Sequence, residues 1–452
     1  MTVVQFSTLL CKALLLTFLV GCGGYAQQTQ RMRSELESGN PSGALSALSE
    51  ELKVADPSDD PDASVKNATL LLLERGTILQ ALGRYKEASR DFQTADEQLE
   101  VLDLTQDNMG NIAKFLYSDD ATVYKAPPYE KLMVNTLNLL NYLSMGQVNG
   151  AKIEARRFEI NRSYFQERDS LDTSISVFGS YMAGVAFESA GEPTKAIRFY
   201  ADAYEAGGLP GLKDVILRLH KRTGADDPRI RSLLEEEYTL APENGEILLI
   251  IQDGLVPRKI AKRMPIGAAL TYSASHPENQ RYMTPKERAR ANRFAAKGLV
   301  TWVNYPALQV DSRVAPSISV SANAQTYRPS TILNVDLAAK SYFEKQQGLF
   351  IAAAISRAVT RAIAGKATEE LSGGSGGVGF LLGLLVQGSM VAADTPDTRA
   401  WNSLPARIRL LRLSLPAGTY PVSITLGRRT FSQDISVSAG NISVINFSKV
   451  RR

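Results

Sequence analysis

The stretch GTILQALGRYKEASRDFQTADEQ, residues 76–98, decides how the first half of the chain folds. Its apolar residues recur with the period of a helix, and Gly83 divides it into two segments. We expect Gly76 and Ala88 to let two helices approach closely, because small side chains permit short distances between helix axes. Gly83 should end the first helix, since glycine tolerates the left-handed conformation of a helix end. The residues expected to fill the seam between the two helices are Tyr85, Phe92 and Ala95.

The same spacing returns elsewhere in the first half. Residues 184–205 repeat it closely, and residues 36–52 and 139–159 repeat it in weaker form. The pattern resembles the tetratricopeptide repeat, in which a pair of helices forms one unit and successive units stack on each other. This resemblance implies a tetratricopeptide-like helical solenoid over residues 22–240.

The N-terminus carries a targeting signal. Residues 13–20 are a short apolar segment, too short to span a bilayer and typical of a secretory signal peptide. The apolar segment ends in Leu19-Val20-Gly21-Cys22, which resembles the lipobox of bacterial lipoproteins. The resemblance implies that residues 1–21 are removed and that Cys22 is acylated, so that lipid anchors the protein to a membrane. Because Gly23 follows, and not Asp, the expected address is the outer membrane, facing the periplasm. The alternative is an ordinary signal peptide with a fortuitous cysteine.

Composition excludes several classes of function. A formal net charge of +4 over 452 residues gives no electrostatic reason to expect nucleic acid as the partner. The chain has two cysteines, of which Cys11 lies in the signal peptide and Cys22 carries lipid, so thiol catalysis and cysteine metal sites are excluded. His220 and His276 are the only histidines, and neither has the helical partner of a zinc site. We therefore expect no enzyme, no metal and no cofactor.

After residue 241 the helical period gives way to short β-branched runs. Residues 245–257 predict a buried strand and turn, and residues 406–448 contain four alternating runs separated by turn residues. The alternation predicts a four-stranded antiparallel meander. The expected fold is α+β, with the solenoid followed by a β-sandwich-like domain, residues 241–452, that holds a helical insertion at about 338–393.

The insertion contains an unusual segment. Residues 349–371 predict an amphipathic, alanine-rich helix, and a glycine-rich stretch then leads into an apolar run over residues 380–393. One interpretation is a helical hairpin buried against the β domain. The other is a segment, residues 373–393, that contacts a membrane or a partner. Its candidate contact residues are Phe380, Leu381, Leu384 and Leu385.

A second candidate site lies between the helix pairs. Residues 116–143 contain a proline pair that interrupts the helical pattern, with Tyr124 and Tyr129 on the expected loop. The two tyrosines are candidates for binding a partner, as are Arg156 and Arg157 in AKIEARR. The alternative is a connector whose tyrosines pack on neighbouring helices.

Taken together, the lipobox, the repeats, AKIEARR and the segment DTRAWNSLPARIRLLRLSLPAGTYPVSI look like an uncharacterised family of bacterial tetratricopeptide lipoproteins. The resemblance implies an architecture and an address, but no activity. We expect a periplasmic scaffold whose groove binds an unknown envelope protein, with regulation of peptidoglycan synthesis as one variant. The alternative is a membrane-active or secretion component that uses residues 373–393. Polysaccharide binding would depend on Trp302 and Trp401, and Trp401 is expected to be a packing residue.

Overall fold

The computed structural model describes residues 24–56, 58–104, 124–167, 172–239, 241, 243–275, 282–309, 315–371 and 396–449. Cys22 and the segment 373–393, with its four candidate contact residues, lie outside these ranges, as does His276. The fold is mixed α+β, with helices in the first half and strands and helices in the second.

The helices of the first half pack in the order in which they occur in the chain. They are α1 (Tyr25–Gln28), α2 (Gln30–Ser38), α3 (Pro41–Glu51), α4 (Ala68–Ala81), α5 (Tyr85–Leu104), α6 (Pro128–Ser144), α7 (Val148–Glu167), α8 (Thr173–Ser189), α9 (Pro193–Glu205), α10 (Leu212–Thr223) and α11 (Arg231–Leu234). The pairs α4/α5, α6/α7 and α8/α9 each pack together, and α5 contacts α6 as α7 contacts α8.

Close packing in the first pair follows the small residues of the opening stretch. A Cβ atom added to Gly76 would lie 2.7 Å from the ring of Phe92, so the seam requires glycine at this position. Gly83 has a φ of +74° and directly follows the last turn of α4, which confirms that it ends the helix. Tyr85 differs from the expectation, because its hydroxyl group donates a hydrogen bond to the carbonyl oxygen of Asn446 in the last strand.

The strands form three sheets. The central sheet has the order β10-β1-β7-β6, the outer sheet has the order β5-β4-β8-β9, and β2 and β3 form a two-stranded sheet. The strands are β1 (Asn244–Asp253), β2 (Arg258–Pro265), β3 (Trp302–Gln309), β4 (Ile318–Ala322), β5 (Gln325–Tyr327), β6 (Ser330–Asn334), β7 (Arg407–Pro416), β8 (Gly418–Leu426), β9 (Arg429–Val437) and β10 (Ile442–Lys449).

The predicted meander over residues 406–448 is wrong in its pairing. Its four strands exist, but β7 pairs antiparallel with β1, β8 and β9 form a hairpin in the outer sheet, and β10 pairs parallel with β1. The reason lies in β1, whose residues are buried on both faces after the first position. A strand that is apolar on both sides belongs in the middle of a sheet, and β7 and β10 supply its two neighbours.

β1 separates two apolar clusters. Leu248 and Ile250 face the helices and belong to one cluster of contacting side chains, whose members range from Tyr25 in α1 to Leu410 in β7. Ile247 and Ile251, on the opposite face of β1, pack against the outer sheet. The predicted boundary near residue 240 therefore separates an all-helical part of the chain from a part with strands and helices, but it does not separate two apolar cores.

A third apolar cluster involves residues between 258 and 309, a range in which no helix or strand is predicted from the sequence. It joins β2, β3, α12 (Ile266–Ser275), α13 (Pro285–Ala296) and the middle of α14 (Val335–Leu371). We call this unit the lateral module. The predicted amphipathic helix over residues 349–371 forms the second part of α14, which begins directly after β6. Within the described ranges, no helix is long and apolar enough to cross a bilayer.

Candidate functional site

The inner face of the helical array is occupied by the rest of the same chain. Residues 68–80 of α4 and 175–188 of α8 are all buried. The amide of Gln252 in β1 donates to the side-chain oxygen of Gln80 at 2.8 Å, and Arg412 in β7 donates to the hydroxyl of Tyr181 at 3.3 Å. The expectation that this groove holds a partner is therefore corrected, because the central sheet already fills it.

One segment, residues 396–406, enters the interior between the helices, and we call it the strap. Trp401 is fully buried in it. Its indole Nε1 donates to the hydroxyl of Thr77 at 2.9 Å, and its ring meets the ring of Phe92 edge to face at 5.7 Å between centroids. Trp401 is thus a packing residue, as expected, and contributes nothing to a surface that binds sugar.

Glu74 of α4 binds the main chain of the strap with its side chain. Its carboxylate accepts hydrogen bonds from the backbone N–H groups of Asn402 and Ser403, both at 2.7 Å, and from the hydroxyl of Tyr25 at 2.6 Å. Burial, and then the charge of Glu74, raise the pKa of Tyr25 well above its usual value, so the phenol keeps its proton and donates. One carboxylate thereby joins the N-terminus, a helix and the C-terminal half.

Tyr124 and Tyr129 do not form a binding surface. Both are buried, and both hydroxyls donate to the carboxylate of Glu130, which also accepts from the N–H of Trp401. Burial followed by the charge of Glu130 raises the pKa of each tyrosine. The proposal that these tyrosines contact a partner is corrected, and the alternative of tyrosines packed on neighbouring helices describes them.

Arg157 is also tied into the interior. Its guanidinium donates to the carboxylate of Asp96 at 2.9 Å, and the same carboxylate accepts from Lys131 at 3.0 Å. Nearby, Glu154 accepts from Asn135 at 3.1 Å. Burial, with a contribution from the charge of Asp96, raises the pKa of Glu154 to about 7. These contacts join α5, α6 and α7 and give Arg157 a structural role.

A second ion-pair cluster joins the helices to the central sheet. Arg412 of β7 donates to Glu188 of α8 at 2.9 Å and to Glu246 of β1 at 2.6 Å, and Arg218 of α10 donates to Glu246 at 2.7 Å. Burial alone would raise the pKa of Glu188, but the charges of Arg412 and Arg218 and a hydrogen bond from Tyr200 lower it to about 2.

Arg156, the last of the four described candidates, does lie at the surface. It sits on the outer face of α7 between Ile153 and Ile160, which are 52% and 69% exposed. The positions i, i+3 and i+7 share one face of a helix, so the three side chains form one line. The guanidinium lies 6.0 Å from the ring centroid of the buried Phe187, a cation–π contact that orients it. We call these three residues the α7 stripe.

A larger charged surface lies on the lateral module, and the sequence analysis missed it. Residues 258–297 carry ten Lys and Arg but only two Glu, in a chain whose formal net charge is +4. The capping box of Thr284 and Glu287, with Pro285 at the first position, starts α13. Four cations then follow at i, i+4, i+7 and i+11, and all four are exposed. The members of this α13 stripe are Lys286, Arg290, Arg293 and Lys297.

The positive charges of the α13 stripe are not neutralised by other described residues. None of its four side chains forms an ion pair or a hydrogen bond with the rest of the described chain. Trp302, which is 44% exposed, follows Lys297 by five residues, so the two lie within about 18 Å of each other. A count of charge along the chain would have revealed the stripe, whereas the net charge of the whole chain conceals it.

The described residues contain no group of three or more His, Cys, Asp or Glu side chains suited to a metal ion. The two surface features above are therefore the candidate sites. Comparison of the chain with family models, with curated proteins and with solved structures found no match.

Proposed function

We propose that this protein is a lipid-anchored scaffold of the bacterial outer membrane that faces the periplasm and binds an envelope protein. The observation that carries the proposal is the α7 stripe, because it places two exposed isoleucines and an oriented arginine on one face of a helix, where they form a small apolar surface that a partner can cover. The lipobox at Cys22 supports the membrane address. We further propose that the helix pairs are tetratricopeptide-like repeats and that the central and outer sheets form a β-sandwich.

The partner binds outside the helical array. Because the inner face is filled by the central sheet and the strap, the groove used by most repeat scaffolds is closed to a peptide. The α7 stripe suits the apolar face of a partner helix that carries a carboxylate opposite Arg156. A periplasmic regulator of peptidoglycan synthesis is one such scaffold. The activity is binding, without catalysis, cofactor or nucleic acid.

Site-specific photo-crosslinking in living cells tests the proposal. A photoreactive amino acid at Ile153 or Ile160 should give one recurrent adduct, whereas the same group at Leu337, a comparably exposed apolar residue on α14, should not. Ile153→Asp combined with a probe at position 160 should abolish the adduct. Absence of an adduct at both positions of α7, or an equal adduct at Leu337, would refute the assignment. Cys22→Ser should abolish metabolic labelling with palmitate.

A second candidate function is a membrane-active component that uses residues 373–393. It is supported by α14, which carries the chain as a continuous helix from the central sheet to Leu371, two residues before this segment. Deletion of residues 372–392 should abolish binding of the delipidated protein to neutral vesicles if the segment inserts. Retention of binding would exclude this function.

A further inference from the structure

We propose that the α13 stripe binds the anionic headgroups of a phospholipid bilayer, so that the lateral module lies against a membrane surface. This inference goes beyond the proposed scaffold, because it concerns another face of the molecule and does not need the α7 stripe or the lipid on Cys22.

The geometry supports a flat, anionic partner. The four cations lie on one line along the outside of α13, over about 16 Å of helix. On the opposite side of α13, Ala291 packs in the apolar cluster of the lateral module. The helix therefore cannot rotate about its axis to bury the four cations. A fixed row of unpaired cations attracts phosphate groups, and Lys and Arg near an anionic bilayer each contribute to binding.

A tryptophan at the edge of the stripe favours lipid over other polyanions. Trp302 is the first residue of β3, and its cross-strand partner is Pro265. Arg263, two residues earlier in β2 and on the same face of the hairpin as Pro265, is exposed, which adds a cation on the side of the indole. Tryptophan is enriched at the level of lipid headgroups, where its ring meets apolar and polar surroundings together. Single-stranded nucleic acid is typically held by several stacked aromatic rings, whereas Trp302, at 44%, is the one substantially exposed large aromatic side chain on the described part of the lateral module.

The experiment uses the chain from Gly24 onward, which contains every described residue but no acyl group and no signal peptide. Its binding to vesicles of phosphatidylcholine, with and without phosphatidylglycerol, is measured by flotation. We expect binding only to vesicles that contain phosphatidylglycerol, and we expect added salt to weaken it because screening shortens the reach of surface charges.

The decisive variant replaces all four stripe cations by glutamine (Lys286→Gln, Arg290→Gln, Arg293→Gln, Lys297→Gln). Affinity should fall about fivefold per cation and therefore several hundredfold in total. The matched control makes the same change in net charge with two lysines and two arginines that are exposed elsewhere, and it should keep most of the binding. The control substitutions are Lys86→Gln, Lys221→Gln, Arg428→Gln and Arg429→Gln.

A second measurement locates the contact. Trp401 is buried, so brominated lipid should quench the fluorescence of Trp302 and leave Trp401 unaffected. The proposal is overturned if the stripe variant binds as well as the parent, if the control variant loses as much, or if an oligonucleotide or polyglutamate binds more tightly than vesicles of equal charge. Deletion of residues 372–392 should leave the salt-sensitive binding intact, which separates this contact from insertion of that segment. Failure at α13 leaves the crosslinking result at α7 unaffected.

Discussion

Replacing Glu74 by glutamine should loosen the strap from the interior. The substitution keeps the size of the side chain but removes the charge and turns one of its two oxygens into an N–H donor. One carboxylate oxygen accepts from Tyr25 and Asn402, and the other accepts from the N–H of Ser403 at 2.7 Å. An amide can serve one of these sides only, so a buried donor of the strap or of Tyr25 is left without an acceptor.

The expected cost follows from these contacts. A buried donor without a partner costs about 1–3 kcal/mol, and hydrogen bonds to a charged acceptor are worth about twice those to a neutral one. Loss of one bond and weakening of the remaining ones should lower the free energy of unfolding by about 3 kcal/mol. This is a large part of the stability of an ordinary protein.

Urea unfolding, followed by circular dichroism and by tryptophan fluorescence, measures the effect. Trp401 belongs to the strap, so its emission should shift to the red at lower urea than the loss of helix if the strap is released first. Glu87→Gln is the matched control, because Glu87 pairs with Arg84 on the surface of α5 and such pairs contribute at most about 1 kcal/mol. A loss below about 1 kcal/mol for Glu74→Gln, with unchanged emission, would show that Glu74 does not hold the strap.

Three further outcomes are expected. The pKa of Glu188 is lowered to about 2, so the ionised carboxylate stabilises the fold at any pH above the pKa of glutamate in the unfolded chain. As the pH falls from about 5 to about 2, the free energy of unfolding should drop by about 3 kcal/mol. An acid titration of Glu188→Gln should lack this drop. The pKa of Glu154 is raised to about 7, so stability should decline as the pH rises from about 5 to about 8, and Glu154→Gln should abolish that decline in urea unfolding at several pH values. Gly245→Ala should lower the melting temperature, because the added Cβ would collide with the carbonyl oxygen of Ser438. Gly267→Ala is the control, since its Cβ meets open space and should leave the melting temperature unchanged. Equal melting temperatures for the two variants would contradict the packing described for β1.

The local elements could be predicted where sequence and structure depend on the same few residues. Gly76, Gly83 and Phe92 lie within 17 residues of each other and mark the seam and the turn of one helix pair, and alternation located the strands β7–β10. Their partners could not be predicted in the same way, because pairing depends on β1, which lies far away in the chain. The apolar character of β1 on both faces was visible in LLII, however, and it argues for a central strand.

The candidate sites were harder to predict for a physical reason. Tyr124 and Tyr129 were expected on an exposed loop because nothing nearby in the sequence reveals that the strap, more than 260 residues away, packs on Glu130 beside them. The acceptor Glu74 sits in an apolar helix, and two of its donors, Asn402 and Ser403, lie more than 320 residues away. The start of α13, by contrast, was encoded locally in its capping box and was overlooked.

The shared interior has a consequence for how the protein is made. The faces of α4, α6 and α8 that meet the central sheet are synthesised long before β7 and β10, which cover them. A growing chain therefore carries an uncovered apolar surface until residues 407–449 have been made, and contacts so distant in the chain form slowly. Nascent chains and products that stop short of β10 should therefore depend on chaperones and be removed by proteases, because the apolar faces of these helices stay uncovered without it.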